Sequence, residues 1–122
     1  MMRKLLIFTA LAEGGASLLL CAYPPIVVWL LFGTDIASTG LIMGRLAGLC
    51  LIALAVSCWP RGDSWRGFYG RLVWSLLAAL NLIVVGVGGT VGILLWPMVA
   101  VHILLVVLLL RVHVVVHSSE TL

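Results

Sequence analysis

From Gly40 to Trp59 the chain reads GLIMGRLAGLCLIALAVSCW, an apolar run broken by a single charge, Arg45. A helix needs roughly 20 apolar residues to cross the hydrocarbon of a bilayer. The central stretch, taken over 38–59, meets that length, and so do the stretches at about 5–23, 68–87 and 93–116. All four are continuous rather than alternating, and backbone groups in lipid must be satisfied within the segment, so helices are predicted rather than a barrel. Composition agrees: 64% of residues are hydrophobic and 9% charged, where a soluble domain carries about 25% charged residues. Too few polar groups are present to cover a water-facing surface. The predicted fold is therefore all-α, an integral membrane four-helix bundle forming one domain over 1–122.

The joints between spans differ in kind. Met1-Met2-Arg3-Lys4 before an apolar run has the outline of a secretory signal. Cleavage would discard the only intramembrane carboxylate, and Cys-Ala-Tyr-Pro-Pro lacks the small-residue pattern of a cleavage site, so the first helix is read as retained. Pro24-Pro25 ends it, because proline removes a donor and restricts its predecessor. Ile26 to Phe32 is apolar but too short to cross. An interfacial half-helix is predicted there, over about 25–33, with Trp29 near headgroup level. Thr34 to Thr39 supplies helix-start chemistry for the second span. Arg61 to Gly67 reads as a polar hairpin, Gly86 to Gly92 as a tight uncharged turn, and His117 to Leu122 as a polar tail.

Orientation follows from the basic residues. Arg3 and Lys4 precede span one, Arg61, Arg66 and Arg71 flank the second joint, and Arg111 closes span four, while the joints after spans one and three hold none. Loop lysine and arginine mark the cytoplasmic side, so both termini are expected there, in a multi-pass inner-membrane protein. The formal charge of +3 is thereby read as a topology signal, and no nucleic-acid partner is expected.

Four polar residues stand inside the spans. At 1.5 Å per residue, Glu13 lies about 13 Å from the cytoplasmic end, Arg45 about 21 Å, Asn81 about 15 Å and His102 about 13 Å. A guanidinium near mid-bilayer costs roughly 2.5–3.5 kcal/mol on insertion scales, so Arg45 must face a partner or a wet cavity. Snorkelling brings its head within reach of Glu13. A buried Glu13–Arg45 pair is therefore expected, completed by Asn81 and His102 and setting helix register. The competing reading makes Glu13 with His102 a proton or ligand site; contact with another subunit's helix is a third. Gly40, Gly44 and Gly48 share one helical face, a close-approach surface open to a docking helix if span one leaves it free.

Other patterns carry less. His113, His117 and Glu120 have formal metal-ligand spacing but lack further ligands, so a solvated helix end is the reading and no metal is expected. Cys21, Cys50 and Cys58 form no CxxC pair and act as small hydrophobes. Trp29, Trp59, Trp65 and Trp96 fall near span ends, where aromatic belts form, and Trp74 is read as packing. Arg61-Gly62-Asp63 matches an adhesion tripeptide but is placed on the cytoplasmic side, where it has no such role. No nucleophile elbow, metalloprotease helix, phosphate loop or haem-attachment motif occurs, so no catalytic residue and no dedicated cofactor is expected. A quinone or a lipid is the class of molecule such a bundle would admit.

Two resemblances bear on function. Phe8-Thr9-Ala10-Leu11-Ala12-Glu13-Gly14 resembles the first helix of the small multidrug resistance exporters, which implies a dimer with Glu13 as its proton- and cation-exchanging site. The aromatic and glycine pattern of those exporters is missing from spans two and three, and a fixed Arg45 would repel cationic cargo. The wider layout, with its proline-bearing half-helix, Gly44-Arg45-Leu46-Ala47-Gly48-Leu49 in span two and Leu95-Trp96-Pro97 in span four, resembles the DoxX-like group of small bacterial membrane proteins. That resemblance implies a bacterial inner-membrane protein; some members are accessory subunits of quinone-linked oxidoreductases. The expectation is a non-enzymatic accessory or assembly subunit of a larger membrane complex, or a homo-oligomer, held by the Glu–Arg network. The alternatives are a proton-coupled carrier using Glu13, or a membrane subunit of a quinone-linked oxidoreductase.

Overall fold

A computed structural model describes residues 2–59 and 65–120, and among them the chain forms five α-helices and no strand. They are α1 (Met2–Ala22), α2 (Pro24–Phe32), α3 (Ser38–Ser57), α4 (Trp65–Val87) and α5 (Leu95–Glu120). α1, α3, α4 and α5 are each long and apolar enough to cross a membrane. The nine residues of α2 are not. The expected bundle with a half-helix after its first span is thus the observed architecture. One boundary differs with consequence: α4 starts at Trp65, three residues before the expected start, which draws Arg71 well inside the helix. The hairpin expected over 61–67 lies outside the described residues except for Trp65, Arg66 and Gly67, which open α4, and residues 121–122 of the expected tail also lie outside them.

α1 packs chiefly on α3 and α4 chiefly on α5. The α1–α3 seam is built on glycine. A Cβ on Gly48 would lie 2.9 Å from the Ser17 carbonyl oxygen and 2.6 Å from Cys21 Sγ; one on Gly44 would lie 2.9 Å from Pro24 Cβ. Helices in lipid gain nothing from hiding apolar surface, so backbones must approach closely for packing to hold them. Gly40, one turn earlier, is covered by Ile36 from its own lead-in, 2.5 Å from where a Cβ would stand. The face of Gly40, Gly44 and Gly48, expected to pack a helix closely or, if span one left it free, to dock one, is filled by α1, Pro24 and Ile36.

The two helix pairs are joined at both ends. At one end Cys58, buried just after α3, meets Gly67 and Gly70 at the start of α4, with its Sγ 3.1 Å from a Cβ built on Gly70. Beside it Leu6, Phe68 and Leu109 form a fully buried cluster supported by Leu5, Trp65 and Leu72. This brings the starts of α1 and α4 to the latter half of α5, so α1 begins and α5 finishes at this end of the bundle. At the opposite end α2 lies across the joint between α4 and α5. Its terminal carbonyls have no partner within so short a helix, and the N–H groups of Gly92 and Leu94 donate to the oxygens of Leu31 and Leu30 at 2.9 and 2.8 Å. Gly92 allows this, because a Cβ there would collide with the Leu30 carbonyl. Gly33 closes α2 in the left-handed conformation at φ 67°, donating to the Trp29 oxygen, a geometry glycine adopts without steric cost.

Candidate functional site: a buried ion pair and an exposed arginine

α4 is apolar on most of its circumference but buries Phe68, Arg71, Ser75 and Ala79, a stripe at intervals of three and four residues. On α1 the matching side holds Leu6, Thr9, Ala10 and Ser17, all buried, with Glu13 among them. The hydroxyls here serve their own helix: Thr9 donates to the Leu6 carbonyl at 3.0 Å and Ser17 donates to the Glu13 carbonyl. Between the two stripes Arg71 Nη1 meets Glu13 Oε2 as an ion pair, with the side chains 2% and 12% exposed. An isolated charge of either sign would be very costly in this setting, and pairing removes the net charge from the seam.

Glu13 therefore pairs with Arg71 of α4, not with Arg45 as the sequence suggested. The pair is also incompletely satisfied by protein atoms: Glu13 Oε1, Arg71 Nε and Nη2 and the Ser75 hydroxyl have no hydrogen-bond partner. Donors outnumber acceptors, so the arrangement is held mainly by charge and by enclosure between the helices.

The remaining expected members do not converge on it. Arg45 is exposed on α3, and its backbone oxygen accepts from Cys21 Sγ of α1 at 3.7 Å. No carboxylate among the described residues forms an ion pair with it. Asn81 is exposed on α4. His102 Nδ1 donates to the Met98 carbonyl of its own helix at 2.8 Å. The four-residue network thus reduces to one interhelical pair.

His113 belongs to an aromatic cluster near the termini. Its ring stacks on Phe68 with centroids 5.9 Å apart, and its Nε2 lies 3.2 Å from the Tyr69 hydroxyl, tying α5 to α4. Trp65 meets the same ring edge-on at 5.7 Å. These contacts give His113 a packing role; the side chains of His117 and Glu120 lie outside what the structure describes.

A groove of about 440 Å³ runs between α1 and α3, lined by residues including Ala10, Leu11, Gly15, Leu18, Ile52 and Val56. Its walls are apolar, and neither Gly14 nor Gly15 has an atom within 4 Å of where a Cβ would stand, so its floor is open. Glu13 is turned towards α4, away from this groove.

Arg71 is the member of the buried pair that its sequence position hides, because a basic residue so near a span's start reads as part of the charged flank. A signal was present: Arg71, Ser75 and Ala79 recur every fourth residue in an otherwise apolar helix, the mark of a polar stripe facing inward. Comparison with protein-family models, with curated proteins and with solved structures gives no match.

Proposed function

We propose that the protein is a non-enzymatic accessory or assembly subunit of a larger membrane complex, multi-pass in a bacterial inner membrane with both termini cytoplasmic. The observation that carries this is the placement of its two intramembrane arginines. Arg71 is buried and neutralised by Glu13, whereas Arg45, seven residues into α3, is exposed and forms no ion pair among the described residues. A guanidinium keeps its charge at any accessible pH, so Arg45 calls for a counter-group from outside the bundle. The engagement of Glu13 argues against a carrier: an exchanging carboxylate needs a free charge for its cargo, and this one is held by a permanent cation.

Isolation from native membranes in mild detergent tests the reading. The wild-type chain is expected in a complex larger than itself with fixed stoichiometry, and Arg45→Leu is expected to release it without unfolding it. A wild-type chain that runs alone, or a dimer whose Glu13 titrates in response to an added cation, would overturn it and favour the carrier.

A further inference from the structure

We infer that the outer face shared by α1 and α3 seats a transmembrane helix of a different membrane protein, one carrying an aspartate or glutamate at the depth of Arg45. The inference rests on the accessory-subunit reading and adds to it the site of docking and the chemistry of the partner.

Arg45, Leu49, Ile52 and Val56 follow one another at intervals of four, three and four residues, so they share one stripe of α3. Ile52 and Val56 also line the groove between α1 and α3. The arginine therefore stands on the same stripe of α3, about two turns beyond the groove's Ile52, roughly 10 Å along the helix. Leu49 and Val56 are exposed, as are Leu11 and Leu18 across the groove on α1. A helix laid along this surface would meet leucine and valine side chains, the open floor at Gly14 and Gly15, and a single fixed cation.

The charge decides what kind of helix fits. Arg45 lies seven residues from Ser38 and twelve from Ser57, roughly 10 and 18 Å from the two ends of the span. At such a depth an unpaired guanidinium costs kcal/mol, which a carboxylate opposite it would recover as a charge-assisted, bidentate contact. Among the described residues no unpaired carboxylate lies at this depth. Glu13 faces the other side of α1 and is held by Arg71, and Asp35 precedes α3 by three residues. A second copy would not serve. In a dimer about an axis normal to the membrane, equal depths meet, so Arg45 would face Arg45. The nearest free acid, Asp35, is displaced by ten residues, roughly 15 Å if helical. The complementary surface therefore belongs to another chain.

The test uses full-length protein reconstituted in phosphatidylcholine vesicles with fluorescent single-span polyleucine peptides. The peptides carry glutamate, glutamine or leucine at the depth of Arg45, and association is read by energy transfer. The glutamate peptide is expected to associate about tenfold more tightly than the other two, a difference of about 1.4 kcal/mol. The preference should vanish in Arg45→Leu and survive in part in Arg45→Lys, and Gly15→Leu, which fills the groove, should weaken all three peptides. Equal association of the three peptides, or a preference that persists in Arg45→Leu, would overturn the inference. So would loss of the preference on adding phosphatidylglycerol, which would assign the guanidinium to lipid headgroups. A native complex that forms through Arg45 beside an indifferent peptide series would keep the accessory reading and sink this partner chemistry alone.

Discussion

At the scale of single residues, two arginines of the same chemistry have opposite consequences. Arg71 is enclosed with Glu13 between α1 and α4, so Arg71→Leu leaves a lone carboxylate in an apolar seam. Breaking a buried pair from one side costs about 3–5 kcal/mol. A loss of that order is expected in thermal or detergent unfolding, less for Glu13→Gln, with partial recovery in the Glu13→Arg/Arg71→Glu swap. Arg45→Leu removes an exposed charge that the isolated protein does not use and is expected to leave stability unchanged or raised. Equal losses at both arginines would refute this asymmetry. Cys58 offers a different test, since burial pushes its thiol above the ordinary value. The folded state then holds the proton more tightly than the unfolded chain. That contribution is fully present below the unfolded thiol's pKa and fades as pH rises through the folded one. At about pH 8, where a free thiol begins to react, maleimide is expected to modify Cys58 slowly in the fold and rapidly once sodium dodecyl sulfate unfolds it. Of these residues the sequence identified Glu13 and Arg45 as intramembrane charges that need partners. It misassigned the pairing because depth along a helix is legible from spacing, whereas the azimuth that selects one neighbouring helix over another depends on tertiary packing.

At the scale of elements, the half-helix α2 was legible because Pro24-Pro25 and Gly33 bracket an apolar run too short to cross. What holds it in place was not, since the bonds from Gly92 and Leu94 to Leu31 and Leu30 join segments some sixty residues apart. No local pattern encodes such a pairing. Gly92 and Gly14 separate the two reasons a glycine occurs. At Gly92 any side chain meets the α2 backbone, while at Gly14 there is open space. Gly92→Ala is therefore expected to loosen α2 from the α4–α5 joint, costing about 1–3 kcal/mol as overpacking does. Hydrogen exchange at the Gly33 amide should then accelerate, and Gly14→Ala should leave it unchanged. Gly48→Val should act likewise on the α1–α3 seam, where the carbonyl of Ser17 cannot yield as a flexible side chain would. If Gly92→Ala exchanged like wild type, α2 would owe its position to lipid contacts rather than to these bonds.

The whole molecule consists of an α1–α3 pair and an α4–α5 pair, clamped at the terminal end by Leu6, Phe68 and Leu109, at the opposite end by α2, and between them by the Glu13–Arg71 pair. Moving Arg71 into the bundle changes the argument for orientation without reversing it. In the sequence Arg3, Lys4, Arg61, Arg66 and Arg111 still lie at or near the span ends on the side of the α3–α4 connection, and the opposite connections hold Asp35 and no lysine or arginine. Because short basic flanks resist translocation, this asymmetry predicts cytoplasmic termini. A green fluorescent protein fused after Leu122 is expected to fluoresce, and alkaline phosphatase at the same point to be inactive yet active when inserted at Thr34. Replacing Arg3 and Lys4 with glutamine while adding two lysines beside Thr34 should yield a mixed population, because the remaining three flanking arginines still oppose inversion. Active phosphatase after Leu122 in the wild-type chain would place the termini outside. Arg45 would then lie nearer the cytoplasmic face, within closer reach of anionic lipid, and the case for a protein counter-charge at that depth would weaken with it.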